Sequence, residues 1–154
     1  MEKILTLCIV TDPSRILLGM KKRGFGEGRW NGFGGKVTDD ETVEEAAERE
    51  AKEEAGITVR SLRKIGLIRF TFENESDTLV VHVFTTERYS GEPKETEEMK
   101  PQWFAFEDIP YNEMWPADRY WLPYVITKKQ FSGAVHFKDM DTILTQKFTE
   151  IKSI

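Results

Sequence analysis

The chain has 154 residues, 32% of them charged and 39% hydrophobic, with a net charge of −5 and a pI of about 5.2. That length suits one hydrophobic core. No apolar run approaches the ~20 residues of a membrane helix, and there is no basic face suited to tracking a nucleic-acid backbone. Cys8 is the one cysteine, so no internal disulfide can form, and an intracellular protein is expected.

Residues 4–10 form an apolar run that ends at Asp12-Pro13-Ser14, a turn signal. The run is too short for a secretory leader, and no small-residue cleavage site follows. Residues 15–22 (RILLGMKK) predict the second strand of a hairpin. The stretch RGFGEGRWNGFGGK, residues 23–36, carries six of the eleven glycines with aromatics set between them. It reads as a loop in which Phe25, Trp30 and Phe33 serve as pocket wall or core. Residues 42–55 (TVEEAAEREAKEEA) predict a helix, with Thr42 and Glu45 as a capping box and Gly56 at the stop position. Residues 57–72 and 78–89 are rich in β-branched and aromatic side chains, and the polar turn 73–77 joins them as a hairpin. A short strand over 102–106, an amphipathic helix over 118–129 and strands over 133–137 and 142–151 complete the chain. Mixed strands with two helices and no linker predict a single α/β domain over 1–154.

On a helical wheel, Val43, Ala46 and Ala47 form a narrow apolar stripe, and Glu50, Glu53 and Glu54 continue it at i, i+3 and i+4. Like charges at those spacings cost ~0.2–0.5 kcal/mol per pair. Glu44, Glu45, Glu48 and Lys52 already supply a polar exterior, and no lysine or arginine is expected on the inner side. A solvated charged face is one reading. The other is a hard divalent cation, Mg²⁺ or Mn²⁺, which takes carboxylate oxygens and shares its shell with phosphates. Arg49 is either a surface salt bridge of little worth or a clamp between the glycine stretch and the helix. Neither G-x-G-x-x-G nor the P-loop pattern fits the glycines.

Gly35, Glu41 and the run Arg49-Glu50-Ala51-Lys52-Glu53-Glu54-Ala55-Gly56-Ile57 fit G-x5-E-x7-R-E-U-x-E-E-x-G-U, where U is aliphatic. The chain therefore resembles the Nudix hydrolases, with Ala51 smaller than the usual aliphatic residue. The runs LLGMKKRGFGEGRWNGFGGKV, ETEEMKPQWF and MWPADRYW extend the likeness, over essentially the whole chain, to the animal MutT-homologue branch of that family.

The resemblance implies an α/β/α sandwich with a mixed sheet and two helices. It also implies Mg²⁺-dependent hydrolysis (Mn²⁺ as substitute) of modified purine nucleoside triphosphates, such as 8-oxo-dGTP, to monophosphate and pyrophosphate, which cleanses the nucleotide pool. The metal would be held by Glu50, Glu53, Glu54, Glu98 and the Gly34 carbonyl, with Glu53, Glu54 or Glu98 orienting or deprotonating the attacking water. Arg49 and Glu41 would be a structural pair. Lys21 would reach the phosphates. Thr6, Asn31, Phe70, Phe72, Met99, Trp115 and Asp118 would line the base pocket, with Phe25, Phe33, Gly34, Gly35 and Lys36 also against substrate. Gly34-Gly35 is expected to turn tightly and bring a carbonyl to the metal. A cytoplasmic monomer, present also in nucleus and mitochondria, that binds small molecules but neither nucleic-acid polymer nor membrane completes the expectation.

One position departs from the family's pattern. After Trp-Pro the branch has two adjacent aspartates, whereas this chain has Ala117-Asp118. Paired carboxylates can share a proton and so accept from a guanine-type edge or donate to an adenine-type one. With Ala117 that switching is weakened, and 2-oxo-dATP is expected to be handled less well than 8-oxo-dGTP. Asp118 could instead be a plain helix cap, and Trp115 a core tryptophan. Two further alternatives keep the box: another nucleoside diphosphate derivative as substrate (a dinucleotide polyphosphate, ADP-ribose or an RNA cap), or a binding module without turnover.

Overall fold

The computed structural model describes residues 1–153. In chain order its elements are β1 (Glu2–Thr11), β2 (Arg15–Lys21), β3 (Trp30–Asn31), β4 (Phe33–Lys36), α1 (Val43–Ala55), β5 (Thr58–Arg60), β6 (Arg63–Phe72), β7 (Thr78–Thr86), β8 (Arg88–Ser90), β9 (Met99–Ala105), α2 (Asp118–Ile126), β10 (Phe131–Asp139) and β11 (Thr142–Glu150). Two single 3₁₀ turns, Phe106–Asp108 and Tyr111–Glu113, lead into α2.

Local chemistry sets the clearest boundaries. Asp12 ends β1 because its Oδ1 accepts from the Ser14 and Arg15 amides at 2.9 and 2.7 Å, closing the predicted hairpin turn. The Thr42 hydroxyl accepts from the Glu45 amide at 3.1 Å, and the Thr42 amide donates to Glu45 Oε1 at 2.8 Å. Two of the amides that a helix start leaves unpaired are thereby satisfied. Gly56, at φ 72°, donates to the Lys52 carbonyl and ends α1 as predicted.

The sheet is mixed. Its strands run β11-β10-β6-β7-β1-β2-β3, with β4 on β1 and β9 on β2, while β5 and β8 pair separately. β1 with β7, and β6 with β10, are parallel; the other pairs are antiparallel. One edge of β1 is shared: Leu5 to Cys8 pair with β4, and Val10 and Thr11 with β2. The sheet splits there and curls.

Side-chain alternation along β1 and β2 sorts the core into two layers. Cys8, Val10, Leu17 and Phe33 pack with Ala47, Ala51 and Ala55 of α1. Ile9, Ile16 and Leu18 join Trp121 and Leu122 of α2, with Phe131 and Phe137. Helix, sheet and helix stack as an α/β sandwich, as expected. Burial raises the Cys8 thiol to about 12, so it is a core residue and not a nucleophile.

Five predicted elements differ. The run 57–72 is cut by Ser61, at φ 54°, into β5 and β6, which belong to different sheets. The run 78–89 likewise divides into β7 and β8. The glycine stretch holds two short strands, because β1 and β2 supply ladder partners that its own composition does not ask for. The strand at 102–106 begins earlier, at Met99, and runs through Pro101; among the described residues β9 pairs only with β2, so proline's missing N–H faces no partner strand. The second helix stops at Ile126 rather than 129, with Lys128 at φ 59°.

Candidate active site

The carboxylates gather where α1 lies against β4. Glu54 is buried, and its Oε1 accepts from the Gly34 amide at 2.8 Å. Its Oε2 lies 3.6 Å from Lys21 Nζ, and that ammonium is also 3.6 Å from Glu98 Oε2. Lys21 therefore bridges the helix and the 95–98 loop. Arg23 donates to Glu98 Oε1 at 2.7 and 3.1 Å. Arg49 donates to both oxygens of Glu41, at 2.7 and 3.0 Å, to Glu50 at 2.8 Å, to Glu53 at 3.2 Å and to the Lys36 carbonyl at 3.1 Å. The clamp reading of Arg49 is the one this geometry supports, since one guanidinium ties α1 to the end of β4.

Two expectations about this face are corrected. Only Glu54 of the three helix acids is buried; the Glu50 side chain is 14% exposed and Glu53 55%. The inner side does hold cations: Arg49 reaches it from within α1, and Lys21 from β2, which the helical wheel leaves out. Gly34 and Gly35 do not form a tight turn either. Both lie in extended β4, opposite Leu7 and Thr6. Their small size serves close approach: a Cβ on Gly34 would stand 1.9 Å from the Thr6 carbonyl oxygen, and one on Gly35 would stand 2.8 Å from Glu50 Oε1. The left-handed glycines are Gly24, Gly26 and Gly28, nearer the loop tip.

Electrostatics follow these contacts. Burial raises the Glu54 carboxyl to about 7, with the nearby Glu50 charge adding to it, while the Gly34 amide and Lys21 pull downward. Glu50 is raised, chiefly by burial, and Glu98 is lowered by its bond to Arg23. Arg49 holds Glu41 down at about 2.

The donor set suits a hard divalent cation: four carboxylates, and a strand whose Gly35 leaves room for Glu50 against the backbone. Among the described residues, no three acid side chains already stand grouped at ligating spacing. Glu50 and Glu53 turn onto Arg49, Glu98 onto Arg23, and Glu54 onto Gly34 and Lys21.

The second region is aromatic. Trp115 meets Phe25 at 4.9 Å between centroids and Phe137 edge-on at 6.0 Å. Phe70 and Phe72 stack on Phe137 at 6.0 and 5.2 Å. Asp118 begins α2, one turn after Trp115, and its side chain does not cap the helix. It is 4% exposed; Oδ1 accepts from the Trp121 indole N–H at 3.1 Å, and Oδ2 has no partner. Burial raises this carboxyl to about 7, against the Trp121 bond, the Trp115 backbone and, least, the positive charge of Arg29. Ala117 beside it is fully buried.

The other predicted contacts divide. Asn31, Phe25, Phe70 and Phe72 keep accessible surface, and the Lys36 side chain is exposed. Phe33 is fully buried, its side chain packed in the core below α1. Met99 is likewise core, its sulfur packed against Gly19 beside Phe33. Thr6 is buried, its hydroxyl on the His82 carbonyl, with the parity of Cys8 and Val10, which pack below α1. Phe137 and Trp121 also border the site, although in the sequence each reads as an ordinary core residue.

A profile of the NUDIX domain matches residues 1–125. The chain is 50% identical over 153 residues to an oxidized purine nucleoside triphosphate hydrolase of Danio rerio, covering 99% of this chain and 98% of that protein. It is 49% identical over 152 residues to the protein of the same name from Mus musculus, covering 99% and 97%. Among solved structures, a mutator MutT protein from Bacillus halodurans superposes with a TM-score of 0.84 at 26% identity, over 95% of this chain and 97% of that one.

Proposed function

Since the chain belongs to the Nudix family, we propose that it hydrolyses oxidised purine nucleoside triphosphates, 8-oxo-dGTP foremost, to the monophosphate and pyrophosphate. The carrying observation is Asp118: a buried carboxylate with one oxygen satisfied and the other unpartnered, close behind an aromatic group. A buried polar atom is normally hydrogen-bonded, and the ring-edge N–H of a guanine-type base would satisfy this one. The near-full-length likeness to two proteins named for this activity supports the same reading.

The base stacks on Trp115 between the aromatic rings, and the triphosphate runs toward α1. Lys21, already placed between Glu54 and Glu98, neutralises phosphate charge. A Mg²⁺ or Mn²⁺ ion held by Glu50, Glu53, Glu54, Glu98 and the Gly34 carbonyl would supply further neutralisation and acidify a bound water. One of Glu53, Glu54 and Glu98 takes the water's proton as its oxygen bonds to phosphorus. The bridge between the α- and β-phosphates breaks, and pyrophosphate leaves. Arg49 and Glu41 hold α1 to β4 and do not touch the reacting atoms. The protein works as one domain over 1–154 and as a monomer, on small molecules, in the cytoplasm, nucleus and mitochondria. No helix among the described residues is long and apolar enough to cross a membrane.

Pyrophosphate release with Mg²⁺ from 8-oxo-dGTP, 2-oxo-dATP, dGTP, ADP-ribose and a diadenosine polyphosphate tests this. The oxidised purine triphosphates are expected to exceed dGTP by far. Preference for ADP-ribose or a dinucleotide would leave the acidic site standing and overturn the roles of Trp115 and Asp118.

A further inference from the structure

Arg29 has no part in the phosphate chemistry, yet its side chain is only 18% exposed. It ends the glycine loop, where its amide donates to the Gly26 carbonyl and its own carbonyl accepts from the Lys21 amide, both at 3.1 Å. The guanidinium lies over the indole of Trp115, 4.5 Å from the ring centroid. Its nitrogens bond the Met140 carbonyl, at 2.9 Å, and the carboxylate of Asp141. Met140 and Asp141 form the turn between β10 and β11, and β10 also supplies Phe137, which meets the edge of the same indole. Trp115 is half-buried against the core beneath α2, and its outer contacts are slight. Phe25 is exposed, and Gly26 offers no side chain.

We propose that Arg29 is a positioning residue for base recognition, locking the Trp115 indole to the β10–β11 turn so that one face stays covered and the other is presented to the purine. The inference rests on the reading that Trp115 stacks the base. A planar guanidinium can lie flat on an indole while its edge bonds a carbonyl and a carboxylate; a lysine ammonium can keep the charge but not the fork. The same cation is the positive charge felt by Asp118, so one side chain serves both the stacking ring and the acid that meets the ring edge. The lock is built from segments 111 and 112 residues apart in the chain.

The test is steady-state hydrolysis of 8-oxo-dGTP with Mg²⁺ by Arg29→Met, Arg29→Lys, Asp141→Ala and Trp115→Ala, with thermal melts to establish folding. Arg29→Met is expected to raise KM about threefold or more with kcat within about twofold, and Arg29→Lys to recover part of that loss. Asp141→Ala, at a position 82% exposed, is expected to raise KM by a smaller factor without loss of fold. If Trp115→Ala raises KM while the folded Arg29 and Asp141 variants keep the parent value, the inference is overturned and base stacking stands. If Trp115→Ala leaves KM unchanged, stacking fails and the inference with it. Should Arg29→Met not fold, Arg29→Lys and Asp141→Ala decide the matter, and a fall in kcat alone in either would also overturn it.

Discussion

The two halves of the site handle charge in opposite ways. Along α1 every acid of the set has a cation: Glu41, Glu50 and Glu53 share Arg49, Glu54 faces Lys21, and Glu98 lies between Lys21 and Arg23. At the start of α2 one acid, Asp118, is as deeply buried as Glu54 and lacks a cation at contact distance. A cluster of paired ions holds its shape without substrate and can exchange partners when phosphate arrives. A lone buried carboxylate keeps one oxygen in want of a donor, and therefore advertises a ligand.

The widest gap between the halves is expected at Glu54. Glu54→Gln should lower kcat by about 10²–10⁴-fold while titration with a non-hydrolysable nucleotide shows little loss of binding; a parallel loss of both would mean that the acid end also carries recognition. Next comes stability at Asp118. The unfolded carboxyl ionises near 3.8 while the folded one keeps its proton up to about 7. Burial thus costs nothing below the unfolded value, the cost grows as pH rises toward 7, and it stays constant above. Asp118→Asn should gain a few kcal/mol relative to the parent between pH 4 and pH 8, read from melts at both. A pH-independent difference would show that burial does not protonate this group.

A smaller effect is expected at Ala117. Because that position is fully buried, Ala117→Asp would set a second desolvated carboxylate beside the first and raise the proton affinity of the pair. Turnover of 2-oxo-dATP relative to 8-oxo-dGTP should rise several-fold, and an unchanged ratio would remove the argument. Smallest is Glu53→Gln, which breaks an exposed i,i+4 pair and should lower stability by at most ~0.5 kcal/mol. A larger drop would mean that the ion pairs of α1 are structural.

The sequence disclosed what is local. The capping box at Thr42, the stop at Gly56 and the spacing of Glu50, Glu53 and Glu54 need no tertiary knowledge, and all three are present. It concealed what depends on partners far along the chain. Lys21 meets Glu54 across 33 positions, so the helix alone looked short of cations. Ser61 interrupts a run with uniform β propensity because its two ends belong to different sheets. β3 and β4 hide in glycine, since their partners and not their own side chains make them strands. Likeness to a family carries positions but not the direction of each side chain: Phe33 and Met99 match substrate-lining positions, and their side chains pack in the core.

The glycines of the opening loop also divide the site into soil that can be replanted and ground that cannot. At Gly32 and Gly34 a side chain would collide with backbone oxygens of β1, so variation there is closed to mutation and to laboratory libraries alike. At Gly24 and Gly28 nothing stands within 4 Å, and the obstacle is the left-handed backbone alone, about 1–2 kcal/mol for most residues and less for asparagine or aspartate. Polar diversity restricted to those two places, on either side of Phe25, would leave the floor of the site as it is.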